Sequence, residues 1–372
     1  MSKIAFITAA PETISAFLLA YIKALAEHHD IHIITSLKNG QSIRGLDNKI
    51  TVHNVNIHRD PKVFSDVKSL ATLYRLFKKE RYDLVHSFTP KAGLLTQISA
   101  FLARVPKRLH TFTGQVWATK QGAARLLLKF LDSITAKLAT YCLIDSPSQK
   151  AFLLKEKLLT DKQCSVLASG SISGVNIEKY HFSQENRNQL RAKHQIADDD
   201  FVFMFVGRLK KEKGVPELLA AFKQINQHDK VKLFILGSDE ENLSEEFDSI
   251  ANLHYLGFTP NAEDYYSFAD VLCLPSHREG FGNVIIEAAS CQLPALASNI
   301  YGLSDAVEHN GTGILHPVKD EKAIATAMKS LIDNPERLTE MRQRCRARIE
   351  ETFDEKILVS EFMHFYQTLG LK

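Results

Sequence analysis

Short apolar runs recur along this chain, and they alternate with segments of helical periodicity. A run such as Phe201–Val206 (FVFMFV) is apolar at every position, which is typical of a strand buried on both faces. Buried strands separated by helices form parallel sheets through βαβ units. We therefore predict an α/β fold. The predicted strands are Ile4–Thr8, Ile31–Thr35, Leu84–His86, Leu109–Phe112, Leu143–Asp145 and Ser165–Ala168, then Phe201–Val206, Val231–Leu236, Val271–Pro275 and Ala295–Ala297.

The length of 372 residues suits two domains of ordinary size. A polar stretch from Ser183 to Asp200 precedes the second group of strands, as it would at the start of a new domain. We place the boundary near residue 176, which predicts two doubly wound, Rossmann-like domains, 1–175 and 176–356. Facing domains of this kind leave a central cleft between their sheet edges, where ligands commonly bind. The triple Asp198-Asp199-Asp200 is interpreted as a solvated turn rather than a metal site.

Two glutamates eight positions apart enclose a glycine-containing turn in the segment Glu279–Glu287 (EGFGNVIIE). Glu279 is expected in the loop at the carboxyl end of the strand Val271–Pro275, where ligands of open sheets bind, and the glycines leave room for a polar ligand. Glu287 is expected in the next helix, on one face with Asn283 and between apolar neighbours. An exposed stripe on a surface helix is the alternative, since Glu is rarely buried. The arrangement of both glutamates on one strand-loop-helix unit favours a pair that binds hydroxyl groups.

A cationic loop, Gly207–Gly214 (GRLKKEKG), follows the strand Phe201–Val206 directly. Arg208 offers a bidentate fork and Lys213 a movable point charge, so the two suit a diphosphate better than either alone. The helix expected from Pro216 directs its positive N-terminus toward the same place. The alternative is an ordinary lysine-rich turn. The glycine spacing and Lys-Ser/Thr ending of a Walker loop are absent.

Histidines and glycines in the first half give weaker signals. His110 lies in or beside a strand, where it would donate a hydrogen bond to a sugar hydroxyl or to the reacting centre, although a lone strand histidine is usually structural. His86 faces the same objection more strongly. The segment Gly170–Asn176 is interpreted as an interdomain hinge, with anion binding by its backbone as the alternative. No Gly-x-Gly-x-x-Gly fingerprint follows a strand, which disfavours a nicotinamide dehydrogenase.

The distribution of charge separates the two halves, although the net charge is only +3. Residues 1–175 hold 24 Lys and Arg against 12 Asp and Glu, whereas residues 176–372 hold 22 against 31. A basic half suits nucleic acid or an anionic membrane surface. Segment 121–138 has the pattern of a basic amphipathic helix, and 74–81 adds a basic cluster, so both are candidates for membrane contact. The alternative for both is a core-facing helix with a solvated lysine face.

The remaining composition is that of an ordinary globular protein, with 45% hydrophobic and 24% charged residues. No apolar run is long enough for a membrane span, and residues 1–6 enter a strand pattern without a signal peptide, so we expect a cytosolic location. Five scattered cysteines favour reduced packing residues over a disulfide framework or a metal cluster.

Four motifs together resemble the retaining glycosyltransferases of family 4. They are the Glu279–Glu287 element, the Gly207–Gly214 loop, the segment His110–Gly114 and the segment Ser173–Asn176, which occur in the family's order along nearly the whole chain. The resemblance implies the two-domain GT-B fold, an acceptor-binding first domain and a nucleotide-sugar-binding second domain. It also implies that the last helix, here 357–372, packs back onto the first domain. The first loop departs from the family's paired glycines and has the sequence Ala9–Thr13 (AAPET).

The resemblance also implies roles for individual residues. Arg208 and Lys213 would hold the donor diphosphate, Glu287 the ribose hydroxyls, and Glu279 the hydroxyls of the transferred sugar. Backbone contacts near the donor would come from Phe281, Gly282 and Asn283, and His110 would approach the sugar from the other domain. Catalysis in this family needs no bound metal, and no cofactor is expected.

The function implied is sugar transfer, with retention, from a nucleotide donor, expected to be UDP-linked, to an acceptor hydroxyl. The basic first half favours a lipid-linked saccharide acceptor at the inner face of the cell membrane, in the synthesis of surface polysaccharide. No nucleic-acid partner is expected. A sugar-nucleotide epimerase or hydrolase of the same architecture is the alternative, and it would turn over the donor without an acceptor. A noncatalytic nucleotide-sugar-binding protein is a further alternative.

Overall fold

The structure, a computed structural model, describes residues 1–38, 41–58, 62–225 and 230–371. It divides into two compact units, one formed by Met1–Ser173 with Glu355–Lys372 and the other by Gly174–Asp354. We call them unit 1 and unit 2. The division falls close to the boundary predicted near residue 176.

Unit 1 contains a parallel sheet of seven strands in the order β3-β2-β1-β4-β5-β6-β7. Its strands are β1 (Lys3–Ile7), β2 (Asp30–Thr35), β3 (Thr51–Asn54), β4 (Leu84–Phe88), β5 (Lys107–Phe112), β6 (Tyr141–Ile144) and β7 (Cys164–Val166). Its helices are α1 (Pro11–Thr13), α2 (Leu19–Ala26), α3 (Val63–Glu80), α4 (Pro90–Ala103), α5 (Gly122–Leu138) and α6 (Pro147–Lys155). A π-helical turn (Ile14–Leu18) joins α1 to α2, and 3₁₀ turns lie at Val116–Thr119 and Asp161–Gln163.

Unit 2 contains a parallel sheet of six strands in the order β10-β9-β8-β11-β12-β13. Its strands are β8 (Phe201–Val206), β9 (Val231–Leu236), β10 (Leu253–Gly257), β11 (Val271–Leu274), β12 (Ala295–Ser298) and β13 (Gly313–His316). Its helices are α7 (Gln184–Lys193), α8 (Val215–Lys223), α9 (Glu263–Tyr266), α10 (Asn283–Ser290), α11 (Leu303–Ala306), α12 (Glu321–Ile332) and α13 (Pro335–Thr352). The 3₁₀ turns are Lys211–Lys213 and Leu243–Ser249.

The fold prediction of two doubly wound α/β domains is confirmed. In β1, Ile4 and Phe6 enter one cluster of buried residues, while Ala5 and Ile7 enter another, because successive side chains of a strand point to opposite faces. Both faces of the sheet are therefore covered, which explains why the sequences of the strands are continuous apolar runs. Three strands were not predicted, namely β3, β10 and β13. All three lie at an edge of their sheet and carry partly exposed residues, so their apolar patterns are weak.

The last helix, α14 (Glu355–Thr368), belongs to unit 1, although it follows unit 2 in the sequence. Its buried residues Leu358, Phe362 and Tyr366 join the cluster formed with β1 and α2. The Tyr366 hydroxyl lies 2.7 Å from Nδ1 of His86 in β4. Helix α14 therefore packs within unit 1, and Lys372, the last residue of the predicted helix 357–372, lies outside the described residues.

Within the described ranges, no helix is long and apolar enough to cross a membrane. All five cysteines are buried with free thiols.

Candidate functional site

The two motif-bearing loops of unit 2 follow neighbouring strands. The cationic loop 207–214 follows β8, and the loop 275–282 follows β11, which pairs with β8 in parallel. The strand order reverses between these two strands, since β9 lies beside β8 and β12 beside β11. In doubly wound sheets, ligands bind at the carboxyl ends of the strands at this point of reversal. The sheet topology therefore brings the two predicted motifs to one edge.

Gly214 allows the two loops to approach each other at backbone distance. Its φ is +73°, and a Cβ atom at this position would lie 2.0 Å from the Pro275 carbonyl oxygen. The His277 amide also donates to the Glu212 carbonyl at 2.9 Å. A side chain at residue 214 would push the loops apart, so this glycine fixes the distance between the motifs.

Lys213 and Glu279 form an ion pair across the two loops. The Lys213 ammonium lies 2.5 Å from Oε1 of Glu279, and both side chains are largely buried. The Ser276 hydroxyl donates to the same carboxylate oxygen at 2.8 Å. Two residues selected separately from the sequence thus meet at one point.

Arg208 lies in the same loop but contacts a different carboxylate. Its Nη1 is 3.3 Å from Oε2 of Glu240, and the Lys210 ammonium is 2.7 Å from that oxygen. The hydrogen bond from Lys210 holds the pKa of Glu240 below its ordinary value, and the Arg208 charge adds to this effect. Arg208 is half-exposed. Arg208 and Lys213, the two residues predicted to bind a diphosphate, are therefore each paired with a glutamate. An incoming anion would compete with that glutamate for the cation.

Helix α10 begins at the second motif. Its N-cap, Gly282, has φ of +83°, a left-handed conformation that favours glycine, and a Cβ there would lie 2.4 Å from Cδ2 of the Leu303 side chain. Asn283 is the first residue of the helix, and Glu287 lies one turn later on the same face. The predicted polar stripe is present, because both residues are only partly buried while Ile285, Ile286 and the residues after Glu287 are buried.

Glu287 lies beside a pair of tyrosines, Tyr266 and Tyr180. The Tyr266 hydroxyl donates to Oε2 of Glu287 at 3.1 Å, and the Tyr180 ring lies against Tyr266 with centroids 6.3 Å apart. Burial raises the pKa of Glu287, and the Tyr266 hydrogen bond and the Lys179 charge partly oppose the rise. This carboxylate is suited to accepting hydrogen bonds from hydroxyl groups of a ligand.

The Phe281 side chain belongs to the core of unit 2. It is buried and packs edge-on against Phe353, with ring centroids 5.3 Å apart. The side chain of Phe281 is therefore occupied by core packing, and the backbone contact with the donor that the family resemblance implies stays a prediction.

His110 lies in β5 of unit 1, where 1% of its surface is exposed. Its Nδ1 is 3.0 Å from the Ser87 hydroxyl, and its ring meets Phe112 edge-on. Burial lowers the pKa of His110 to about 3, so the imidazole is neutral. A neutral imidazole still donates one hydrogen bond. Its contact with a sugar stays a prediction.

His86, the secondary candidate, has a structural role. Nε2 of His86 is 2.7 Å from the Thr111 hydroxyl, and Nδ1 is bonded to Tyr366. Burial lowers the pKa of His86 well below its ordinary value. Both ring nitrogens serve to join β4 to β5 and α14.

Sequence reasoning missed several residues that surround the predicted ones. They are Ser276 beside Glu279, Tyr266 beside Glu287, Glu240 beside Arg208, and the pair His277 and Glu217, whose Nε2 and Oε1 are 2.8 Å apart. Ser276 is three positions from Glu279 and would have been found by extending the motif toward its strand. The others come from separate elements, and no local pattern marks them. The described residues contain no group of three or more His, Cys, Asp and Glu arranged to hold a metal ion.

Comparison with known families gives two matches. Residues 186–351 match the sequence model of the family described as "Glycosyl transferases group 1", and residues 3–143 match that described as "Glycosyl transferase 4-like". The two matches correspond to most of unit 2 and most of unit 1.

Individual proteins are similar over nearly the whole chain. The capsular polysaccharide biosynthesis glycosyltransferase CapM of Staphylococcus aureus is 34% identical over 347 residues, covering 91% of this chain and 90% of CapM. A UDP-Gal:alpha-D-GlcNAc-diphosphoundecaprenol alpha-1,3-galactosyltransferase of Escherichia coli is 30% identical, covering 88% and 86%. Among solved structures, a sucrose-phosphate synthase from Thermosynechococcus elongatus superposes with a TM-score of 0.83 at 20% identity, covering 99% of each chain.

Proposed function

Because the chain belongs to the group 1 glycosyltransferases and has their GT-B fold, we propose that it transfers a sugar from a UDP-linked donor, with retention, to a lipid-linked saccharide in surface polysaccharide synthesis. The relatives named above support the acceptor class, since one acts in capsule synthesis and the other on a diphosphoundecaprenol-linked sugar. The donor class is supported by the UDP-galactose that the second relative uses.

The observation that carries the proposal is the meeting of Lys213 and Glu279 at the carboxyl edge of β8 and β11. A nucleotide sugar has an anionic diphosphate joined directly to a ring with several hydroxyl groups. The Lys213 cation suits the diphosphate, and the Glu279 carboxylate suits the sugar hydroxyls. The two groups lie 2.5 Å apart, as the diphosphate and the sugar ring are adjacent in the donor. When the donor binds, the diphosphate replaces Glu279 as the partner of Lys213, and Glu279 becomes free to accept hydrogen bonds from the sugar.

In the proposed reaction, cations of the protein assist the departure of the diphosphate from the sugar. As the bond between the anomeric carbon and the diphosphate oxygen breaks, negative charge grows on the leaving group. Arg208, Lys213 and the N-terminus of α8 then bind that group more tightly than they bind the intact donor. The acceptor oxygen forms its bond on the same face of the sugar, and its proton passes to the leaving phosphate. No metal ion or cofactor is included in this scheme.

The other residues position the donor. Glu287 accepts hydrogen bonds from the ribose hydroxyls, and the backbone of Phe281, Gly282 and Asn283 contributes contacts near the diphosphate. His110 of unit 1, as a neutral donor, approaches the sugar. In this scheme unit 2 binds the nucleotide sugar and unit 1 binds the acceptor.

The proposal is tested by a panel of nucleotide sugars incubated with and without lipid-linked saccharides extracted from membranes. We expect release of UDP from one donor only when an acceptor is present, and a product whose anomeric configuration, measured by NMR, equals that of the donor. Donor turnover without acceptor would instead identify an epimerase or hydrolase. Tight donor binding with no turnover under any condition would identify a binding protein.

A further inference from the structure

The first half of α5 exposes large apolar side chains and turns its cations inward. Leu126, Leu127 and Phe130 are 68%, 59% and 60% exposed, and they lie together on one side of the helix. We call these three residues the α5 patch. From the sequence, the alternative to membrane contact is a helix with apolar residues facing the core and lysines facing solvent. In this half of α5 the two faces are the other way round, so that alternative is wrong here.

The cations of this half are held by the protein itself. Arg125 and Lys129 lie 2.8 and 2.7 Å from Oε2 of Glu156 in their ion pairs. Both also lie over the Trp117 ring, at 5.2 and 5.5 Å from its centroid. The pKa of Glu156 is held below its ordinary value, first by the hydrogen bond from Lys129. These two cations are therefore already paired, and what the first half of α5 presents to its surroundings is apolar.

The inward side of α5 is anchored, so the exposed side is a fixed feature. Trp117 is buried, its indole N–H donates to Oδ2 of Asp132 at 2.7 Å, and its ring stacks on Phe152 with centroids 5.2 Å apart. Rotating α5 to bury the α5 patch would break this hydrogen bond and both ion pairs with Glu156. The contacts below the helix thus keep the patch outward.

A second group of exposed apolar residues lies at the start of α3. It consists of Val63, Phe64 and Val67, and Phe64 is 94% exposed. We call it the α3 patch. Helices α3 and α5 both pack against α4, and each begins after the carboxyl end of a strand, β3 and β5 respectively. The first turns of both helices therefore lie toward the carboxyl edge of the unit 1 sheet.

Clustered exposed apolar side chains mark an interaction surface. Unit 1, which carries both patches, holds 26 Lys and Arg against 14 Asp and Glu, a balance of +12. This charge favours an anionic partner and opposes a second copy of the same surface, because two basic units would repel each other.

We propose that the α5 patch and the α3 patch insert into the interface of an anionic lipid membrane. The inference rests on the proposed function, in which unit 1 receives a lipid-linked acceptor. Apolar side chains enter the boundary between headgroups and acyl chains, while the basic surface of unit 1 attracts the anionic headgroups. The contact holds the carboxyl edge of the unit 1 sheet at the membrane surface, where the saccharide of the acceptor is presented. The basic cluster 74–81, the other predicted contact, lies in the second half of α3, away from the α3 patch.

The test is flotation of the full chain with two kinds of vesicle, phosphatidylcholine alone and phosphatidylcholine mixed with phosphatidylglycerol. We expect the wild type to float with the anionic vesicles and much less with the neutral ones. The variants Leu126→Gln/Leu127→Gln/Phe130→Gln and Val63→Gln/Phe64→Gln/Val67→Gln should each bind anionic vesicles about tenfold more weakly. The matched control Phe101→Gln/Leu102→Gln/Phe258→Gln removes three exposed apolar side chains outside both patches and should bind as the wild type does.

Three results would overturn the proposal. They are absence of wild-type flotation at low salt, an equal loss of flotation in the control, and a fall from dimer to monomer in the α5 variant measured by sedimentation. The last result would assign the surface to a second copy. Emission from Trp117, the chain's single tryptophan, checks that α5 remains folded in each variant.

Activity assays separate this proposal from the proposed function. The α5 variant should transfer sugar normally to a short-chain, water-soluble acceptor but more slowly to an acceptor embedded in vesicles. If wild type transfers to neither acceptor, the proposed function fails. If it transfers to both and the variants show no defect with vesicles, only the membrane contact fails.

Discussion

The Lys213 ammonium and the Glu279 carboxylate lie 2.5 Å apart, although the two residues are 66 positions apart in the sequence. The pairing exists because β8 and β11 are neighbours in the sheet and Gly214 lets their loops touch. Each partner neutralises the charge of the other in this structure.

Replacing Lys213 by Ala should lower turnover more than it weakens donor binding. The charge on the leaving diphosphate grows in the transition state, so a cation there contributes more to kcat than to KM. We expect kcat to fall about a hundredfold, as is typical when one stabilising group is removed from a transition state. Steady-state kinetics with the accepted donor measure both constants. Lys211→Ala, in the same loop but exposed, is the matched control, and an equal fall in its kcat would argue against the specific role of Lys213.

Replacing Gly214 by Ala should reduce both stability and activity. The left-handed backbone at φ +73° costs an L-residue about 1–2 kcal/mol, and the new Cβ also meets the Pro275 carbonyl. Gly257→Ala is the control, because its φ is +70° and a Cβ there meets nothing within 4 Å. Urea unfolding should show a larger loss for Gly214→Ala than for Gly257→Ala. Equal losses would mean that the loop contact does not constrain the site.

Replacing Glu287 by Gln should weaken donor binding while making unit 2 more stable. The amide keeps an acceptor for Tyr266 but removes a charge whose burial raises the pKa of Glu287. Since the folded protein favours the protonated acid, the stability gained by Gln should grow as the pH rises. Hydrogen bonds from ribose to a neutral amide are weaker, so the donor Kd should increase about tenfold. Calorimetry with UDP checks the affinity, with Glu263→Gln as control for loss of a nearby charge. An unchanged Kd would exclude Glu287 from the nucleotide site.

Replacing Asp132 by Asn should stabilise unit 1 at high pH. Burial raises the pKa of Asp132 to about 6, while the Trp117 hydrogen bond opposes the rise. The folded state therefore binds a proton that the unfolded state releases above its own pKa of about 4, and the wild type gains stability as the pH falls through 6. The variant lacks this gain, so its advantage, about 1–3 kcal/mol at pH 8, should disappear by pH 4.

The measurement for Asp132 is urea unfolding of both proteins at several pH values. Buried His86 and His110 have lowered pKa values, so they make the fold less stable as the pH falls below about 6.5, which is opposite to the effect of Asp132. Both proteins contain these histidines, so the difference in stability between wild type and variant is free of their effect. A stability difference that does not change with pH would contradict the raised pKa of Asp132.

Much of the site could be predicted because its parts are local in the sequence. Arg208, Lys213, Glu279 and Glu287 each follow a fully apolar strand, and the ends of such strands are where parallel sheets bind ligands. Ser276, three positions before Glu279, is local to the same loop and could have been found with it. Tyr266 and Glu240 were not predictable, because they contact Glu287 and Arg208 from separate elements.

The sequence by itself determined the alternation of buried strands and helices, the two-domain α/β fold and the loops that carry the motifs, because hydrophobic periodicity and glycine placement act over a few residues. Only the tertiary structure decided that Lys213 meets Glu279, that Tyr366 of α14 meets His86 of β4, and that α5 turns Leu126 and Phe130 outward. These outcomes depend on strand order and on ion pairs between distant segments. An amphipathic pattern shows that a helix has two faces, but its partners determine which of them is buried.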